Sequence, residues 1–395
     1  MRHPATTPLG SPDRSKGESL SAQREGSRVD SSRHLLVVAA GTGGHVMPGL
    51  AVADELQARG WTVSWLGTRA GMERRLVEGR GIAFDAIDFA GLRGKGIKTL
   101  LFGGFLLLRA LWQSRAIVKM RQPAMVFSTG GYVAVPAGLA ATALGRPLAL
   151  LNADASPLLS LKILRSQAVA IFCGFDGAAA RMGGERALVT GNPVRPPIAQ
   201  IAPPAQRYAG RSGPLSLLVV GGSLGAQVLN EILPLALARI EPARRPGVVH
   251  QCGAQHLEAT RAAYARAGVA AEVVPCSDDM AARYAAADLA ICRAGAITVT
   301  ELTAAGVPAV LVPFVVKTTA HQRSNAEFLA AHGAAIHLPQ AEFTAERLAQ
   351  VLGELDRDRL QRMAEQARAL GKPEATRVVA DAIEHIVRSS LKAAA

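Results

Sequence analysis

At 395 residues with 49% hydrophobic composition, the chain exceeds what one compact core absorbs and fits two domains able to enclose a cleft. Aromatic residues make up only 4% while glycine reaches 39 residues, a balance that suits helix-on-sheet layers with tight turns and argues against an all-β sandwich. The formal net charge of +13 asks for an anionic partner, and no helix-turn-helix, RNP-like or zinc-finger pattern accompanies it, so no nucleic acid is expected.

Residues 1–32 are rich in Ser, Arg, Pro and Gly, lack an apolar signal core and read as a disordered tail outside the fold. Short apolar runs then alternate with helical stretches, the pattern of a doubly wound parallel sheet in an α/β protein. In the first half, strands are expected at 34–40, 61–66, 82–87, 124–128, 147–151 and 168–172.

Gly41-Thr42-Gly43-Gly44-His45 follows the first of these strands and precedes a helix expected near Pro48. Glycine lets backbone N–H groups approach an anion at a helix N-terminus, so a diphosphate fits, although a tight packing turn reads equally well. His45 would face the cleft at the carboxyl edge of the sheet, either as a general base or as a structural ring. Ser128-Thr129-Gly130-Gly131-Tyr132 repeats the strand-turn-helix pattern.

Positive charge concentrates in this half, with 17 Lys and Arg against 9 Asp and Glu over residues 34–190 and 21 against 18 over 191–395. No acidic residue lies between Asp88 and Asp154, where Arg93, Lys95, Lys98, Arg109, Arg115, Lys119, Arg121 and Arg146 fall. The apolar run Thr99 to Leu108 within that segment is half the ~20 residues that span a bilayer. It reads either as a peripheral membrane contact or as a core helix with a solvated basic face.

Proline-laden residues 196–214 mark an interdomain linker, after which strands are expected at 215–220, 248–251, 271–274, 288–292, 309–312 and 335–338. A third glycine turn, Gly221-Gly222-Ser223-Leu224-Gly225, opens this half. Asp278-Asp279 read as helix-start residues. Further on, Arg293-Ala294-Gly295-Ala296-Ile297-Thr298-Val299-Thr300-Glu301 runs from a strand into a helix. Glu301 there reads as a carboxylate for a ribose diol or as a favourable charge at a helix start. The four cysteines Cys173, Cys252, Cys276 and Cys292 show no CxxC pair and no His at zinc spacing, so neither a metal site nor a disulfide framework is expected and a reducing compartment fits.

Taken in order, these segments, with Pro48-Gly49-Leu50-Ala51, Gly91 to Gly96, Gly191 to Arg195, His321-Gln322 and Asn325-Ala326, resemble the MurG family over residues 34 to about 390. That family transfers N-acetylglucosamine from its UDP donor to lipid I, forming lipid II for peptidoglycan. The resemblance implies the GT-B fold, two Rossmann-like lobes facing a cleft. It divides the chain into an acceptor-binding, membrane-associating domain at 33–195, a donor-binding domain at 196–372 and a helix at 373–395, expected from Glu374 to Val387, that returns to the first domain.

Carried over by motif, the resemblance implies donor contacts at Thr42, Gly43, Gly44, Asp154, Arg195, Ser223, Ser277, Ala296, Ile297, Thr298, Val299, Thr300, Glu301 and Gln322. Arg195 and Ser223 would lie near the diphosphate, Glu301 on the ribose and Gln322 on the sugar. Acceptor diphosphate contacts fall at Gly41, Gly130, Gly131 and Tyr132, and His45 is the expected general base. The membrane patch would comprise Arg93, Lys95, Lys98, Leu101, Phe102, Phe105, Arg109 and Trp112 on the cytoplasmic face of a bacterial inner membrane. Neither cofactor nor metal is expected, UDP-N-acetylglucosamine being a co-substrate. The implied partners are that donor, lipid I, an anionic membrane surface and proteins of cell-wall synthesis and division.

The chain departs from the family pattern in several places. Asn152-Ala153-Asp154 stands where Glu-Gln-Asn is usual, Leu158 and Leu161 where Gly and Asn are frequent, Leu224 where Gln follows the turn, and Ser277 at an often apolar position. Rival readings are a GT-B transferase with another lipid acceptor, a UDP-N-acetylglucosamine epimerase and a non-catalytic scaffold.

Overall fold

The computed structural model of the chain describes residues 33–41, 43–89, 97–182, 184–222, 225–277, 279–314 and 321–394. The first sheet holds β1 (His34–Ala39), β2 (Thr62–Thr68), β3 (Ala83–Ile87), β4 (Met125–Gly130), β5 (Leu148–Asn152), β6 (Ala170–Cys173) and β7 (Ala187–Val189). The second holds β8 (Ser216–Val220), β9 (Gly247–Gln251), β10 (Glu272–Val274), β11 (Leu289–Cys292), β12 (Ala309–Leu311) and β13 (Ala335–His337). Every pairing is parallel, in the orders β3-β2-β1-β4-β5-β6-β7 and β10-β9-β8-β11-β12-β13. The central strands are covered on both faces, which is why they appear in the sequence as unbroken apolar runs. All twelve expected strands are present; β7 is an addition, a three-residue edge whose Leu188 and Val189 are exposed.

The first lobe carries α1 (Gly43–Ala58), α2 (Glu73–Glu78), α3 (Ile97–Arg121), α4 (Ala134–Ala143), α5 (Leu159–Leu164) and α6 (Ala178–Met182). Contrary to expectation, α1 begins within the glycine turn rather than near Pro48, so His45 lies in its first turn and Pro48 inside it. The proline-laden stretch is not a bare linker either: it forms α7 (Pro196–Ala199) and α8 (Pro204–Tyr208), each started by proline at a position where its missing N–H costs nothing. Two arginines fasten the stretch to the second lobe. Arg207 donates to the carbonyl of Ala305 at 3.0 Å, and Arg211 donates to that of Ala285 at 2.7 Å.

The second lobe follows with α9 (Gln227–Ala238), α10 (Leu257–Arg266), α11 (Met280–Ala286), α12 (Ala296–Ala305), α13 (His321–Ala331), α14 (Ala345–Gly353), α15 (Arg357–Leu370) and α16 (Ala375–Ala394). Arg207 and Arg211 thus sit at the C-terminal ends of α12 and α11, where a cation meets the negative end of the helix dipole. Asp279 caps α11, accepting from the N–H of Ala282 at 2.9 Å, as its sequence position suggests. The last helix returns to the first lobe, burying Val379, Ala380, Ile383 and Val387 in one core with Val46, Leu50 and Leu56 of α1. Glu384 of α16 accepts from Trp61 Nε1 at 3.0 Å.

Each strand order reverses direction once, between β1 and β4 in the first sheet and between β8 and β11 in the second. Loops leaving adjacent strands diverge at such points and open a crevice beyond the carboxyl ends. The first and second glycine turns follow β1 and β4, while the third turn and the Arg293 to Glu301 segment follow β8 and β11.

Candidate active site

The two turns of the first lobe interlock through backbone irregularity. Val38 of β1 pairs with Ser128 and Ala39 with Gly130, so Thr129 is one residue too many and bulges from β4. Its carbonyl accepts from Nδ1 of His45 at 3.1 Å, and its hydroxyl donates to the His45 carbonyl at 2.6 Å. Gly130 and Gly131 have φ of +114° and +82°. A Cβ would come within 2.7 Å of His45 Nδ1 at the first position and 2.2 Å of the Ala40 carbonyl oxygen at the second, so both must be glycine.

Tyr132 reaches back to Gly41, where a Cβ would lie 3.7 Å from its ring. The Gly41 N–H is already engaged, at 3.5 Å from the buried Glu73 carboxylate, which also accepts from the N–H and hydroxyl of Thr68 at 3.0 and 2.7 Å. An anion at this turn therefore has Gly43 and Gly44 to use rather than the Gly41 N–H. Thr42 lies outside the described residues.

The ring of His45 is enclosed although the residue keeps some exposure. Burial lowers its pKa below the ordinary 6.5; the Asp154 carboxylate and the Thr129 hydrogen bond oppose that shift, and His321 reinforces it. Both lobes thus contribute charge around one imidazole. Asp154 is buried and accepts from Asn325 Nδ2 at 2.9 Å. Asn325 also donates to the Ala294 carbonyl at 3.0 Å and accepts from the Ala155 N–H at 2.8 Å, joining the loops after β5 and β11 across the cleft. Asn192 does the same on another side, donating to the Ala153 carbonyl at 2.9 Å and the Thr300 hydroxyl at 2.8 Å.

In the second lobe Glu301 is buried with both oxygens engaged. Arg195 Nη2 donates to Oε1 at 2.9 Å, and the Tyr284 hydroxyl donates to Oε2 at 3.1 Å. Burial pushes the Glu301 pKa up while these two partners hold it down. Where sequence suggested a diphosphate for Arg195, the side chain lies on Glu301, and its buried Nε has no partner. Of residues Ala296 to Thr300, Val299 packs in the core and the Thr300 hydroxyl serves Asn192, leaving Ile297 and Thr298 partly open at the helix start. No side chain caps α12. Gln322 accepts from the N–H of Phe314 at 2.8 Å, and Ser277 is half-buried after β10. Ser223 falls outside the described residues; the neighbouring Gly221 donates to the Gln251 carbonyl at 2.9 Å.

On the outer face of the first lobe, Phe105 and Trp112 are 66% and 71% exposed, and Leu108 lies between them on the same side of α3. Arg109 is exposed but matched, donating to Asp88 at 2.8 Å beside Arg69 at 2.5 Å. Arg93 and Lys95 lie outside the described residues, as do the side chains of Lys98, Leu101 and Phe102. α3, α4 and α5 cover the same side of the sheet, and α5 adds exposed Leu159 and Ile163 with Lys162 and Arg165. Among the described residues no helix is long and apolar enough to cross a membrane, and no group of three His, Cys, Asp or Glu side chains could hold a metal ion.

Sequence reading missed Glu73 and Tyr284, and named Thr129 and Asn325 only within motifs, with no role of their own. Thr129 lies inside a glycine turn that marks it and Asn325 in a motif of the resemblance; Glu73 and Tyr284 reach the site only through tertiary pairing.

The profile of the glycosyltransferase family 28 N-terminal domain matches residues 35–173, and that of its C-terminal domain matches residues 216–386. The chain is 56% identical over 361 residues to the UDP-N-acetylglucosamine--N-acetylmuramyl-(pentapeptide) pyrophosphoryl-undecaprenol N-acetylglucosamine transferase of Methylibium petroleiphilum, covering 90% of this chain and 98% of that one. It is 54% identical over 358 residues to the protein of the same name from Herminiimonas arsenicoxydans, covering 91% and 100%. Among solved structures it resembles Acinetobacter baumannii MurG with a TM-score of 0.77 and 40% identity, over 89% of this chain and 99% of that one.

Proposed function

The chain belongs to glycosyltransferase family 28 and, within it, to the MurG family, and on that premise we propose that it moves N-acetylglucosamine from UDP-N-acetylglucosamine to the muramyl 4-hydroxyl of lipid I, making lipid II. Identity of 56% across nearly the whole of a transferase relative favours this reaction over epimerisation or another acceptor. The observation that carries the chemistry is the His45–Thr129 hydrogen bond. A carbonyl only accepts, so the proton sits on Nδ1 and Nε2 is left with its lone pair. His45 then acts as the base, taking the 4-hydroxyl proton as the oxygen attacks the anomeric carbon and UDP departs with inversion.

Charge grows on the leaving diphosphate, and the uncapped N-terminus of α12, the third glycine turn and Arg195 are the groups that meet it. No step in this scheme is routed through a metal. Glu301 keeps lone pairs beyond those given to Arg195 and Tyr284, and these receive the ribose hydroxyls. Gln322 is assigned to the donor sugar and the Ser277 loop to the base. Gly43 and Gly44 at the start of α1 are assigned to the donor, and Gly41 with the Gly130 to Tyr132 turn to the acceptor diphosphate.

The acceptor is held in a membrane, and the α3–α5 face suits it. From residue 89 through 175 the only acidic residue is the buried Asp154; Asp88 and Asp85, just before it, engage Arg109 and Arg121, while exposed Arg115, Lys119 and Lys162 stand beside the apolar side chains of this face. That arrangement supports peripheral docking on an anionic, cytoplasm-facing leaflet.

The deciding experiment is transfer of labelled N-acetylglucosamine from its UDP donor to a short-chain lipid I analogue, with Glu301→Ala as control. Disaccharide-lipid formation that falls at least about tenfold in the control supports reaction and donor site together. Donor binding without transfer would point to another acceptor or to epimerisation, and no donor binding to a scaffold.

A further inference from the structure

Glu301 can present a fixed pair of acceptors to a ribose only if something fixes its carboxylate. The terminal torsion of a glutamate is broad, so burial alone does not set the plane. Of its two partners, Arg195 belongs to the interlobe crossing and its side chain is about one-third exposed, leaving it able to change partner when an anion arrives. Tyr284 differs. It is walled into the core beneath α12, and its helix is pinned by the Asp279 cap. Its hydroxyl has Glu301 Oε2 as partner at 3.1 Å. Burial holds the phenol well above its ordinary pKa, so it stays a donor throughout the working pH range.

We infer that Tyr284 is a positioning residue for donor recognition: its hydroxyl orients the Glu301 carboxylate so that the remaining lone pairs meet the ribose diol. This rests on the reading of Glu301 as the ribose acceptor. It also gives α11 a role, since the loop bearing Ser277 leads into the helix that carries Tyr284.

The test is calorimetric titration of the full chain with UDP and with 2′,3′-dideoxyuridine diphosphate, in the unaltered protein, Glu301→Ala and Tyr284→Phe. The unaltered protein should prefer UDP by at least about tenfold, the scale of hydrogen bonds to a charged group, and Glu301→Ala should lose most of that preference. Tyr284→Phe should bind the dideoxy analogue within about twofold of the unaltered protein yet lose at least about threefold of the preference for UDP. Equal weakening of both ligands, or an intact preference, would overturn the inference, because a merely structural tyrosine cannot discriminate between riboses. If Glu301→Ala keeps the full preference, the ribose reading itself is wrong. Tyr284→Met supplies a second hydroxyl-free side chain should phenylalanine pack poorly.

Discussion

His45 donates from Nδ1 to Thr129, the residue that bulges from β4, and the missing side chain of Gly130 leaves room for the ring. Because burial leads the other influences, the ring is neutral at pH 7 and ready to accept a proton. Its folded pKa lies below the ordinary 6.5, so on acidification the unfolded chain takes up a proton first. The residue's contribution to stability is therefore present above about 6.5 and lost as pH falls toward the folded value. The acid limb of kcat/KM should accordingly lie below pH 6.5. Asp154→Asn removes the carboxylate that raises the His45 pKa and leaves His321, which lowers it, so the limb should move further down. His45→Ala should cut kcat by roughly 100-fold or more with donor KM little changed. Turnover within a few-fold of the unaltered enzyme would remove His45 from the base role.

At the scale of elements, α3 combines an exposed Phe105, Leu108 and Trp112 stripe with a cation, Arg109, already matched by Asp88. A double change of Phe105 and Trp112 to serine touches no core contact, so the fold should survive. Binding to anionic vesicles in a sedimentation assay should fall by at least about tenfold, while Arg109→Ala should change it little. Unaltered sedimentation of the double variant would overturn the docking role proposed for this stripe. The strands were legible because burial on both faces leaves unbroken apolar runs, and β7 was not because its apolar run, Ala187 to Val189, is only three residues long. The true start of α1 was hidden because Gly43-Gly44 has poor helix propensity and holds its place through the Thr129 contacts. His45 and Glu301 stood out in the sequence because each follows a strand closely, at the start of α1 and within α12. Their partners did not: Thr129 lies 84 positions from His45, Tyr284 17 from Glu301 and Asn325 171 from Asp154, distances at which local pattern carries no signal.

The whole molecule is fastened across its cleft at separate points. Val194 both donates to and accepts from the Thr376 hydroxyl, at 3.1 and 2.9 Å, where the chain crosses between lobes. α16 packs on α1, and Asn325 bridges the loops after β5 and β11 beside His45. The last of these is chemically addressable. Asn325→Asp replaces the amide that donates to Asp154 with an acceptor, setting two buried carboxylates at about 3 Å, where both cannot stay ionised. The proton that resolves the conflict is scarce at pH 7 and plentiful at pH 5, so the penalty is present at the higher pH and recedes as pH falls. Denaturant unfolding should show a loss of roughly 2–4 kcal/mol at pH 7 that shrinks toward pH 5. Adding Asp154→Asn returns a donor to the pair and should recover about half of the loss; the Ala294 carbonyl stays unpaired, which keeps the rescue incomplete. If Asn325→Asp unfolds like the unaltered chain at both pH values, the lobes in solution are not joined through this amide, and His45 must be reached by a closure different from the one seen here.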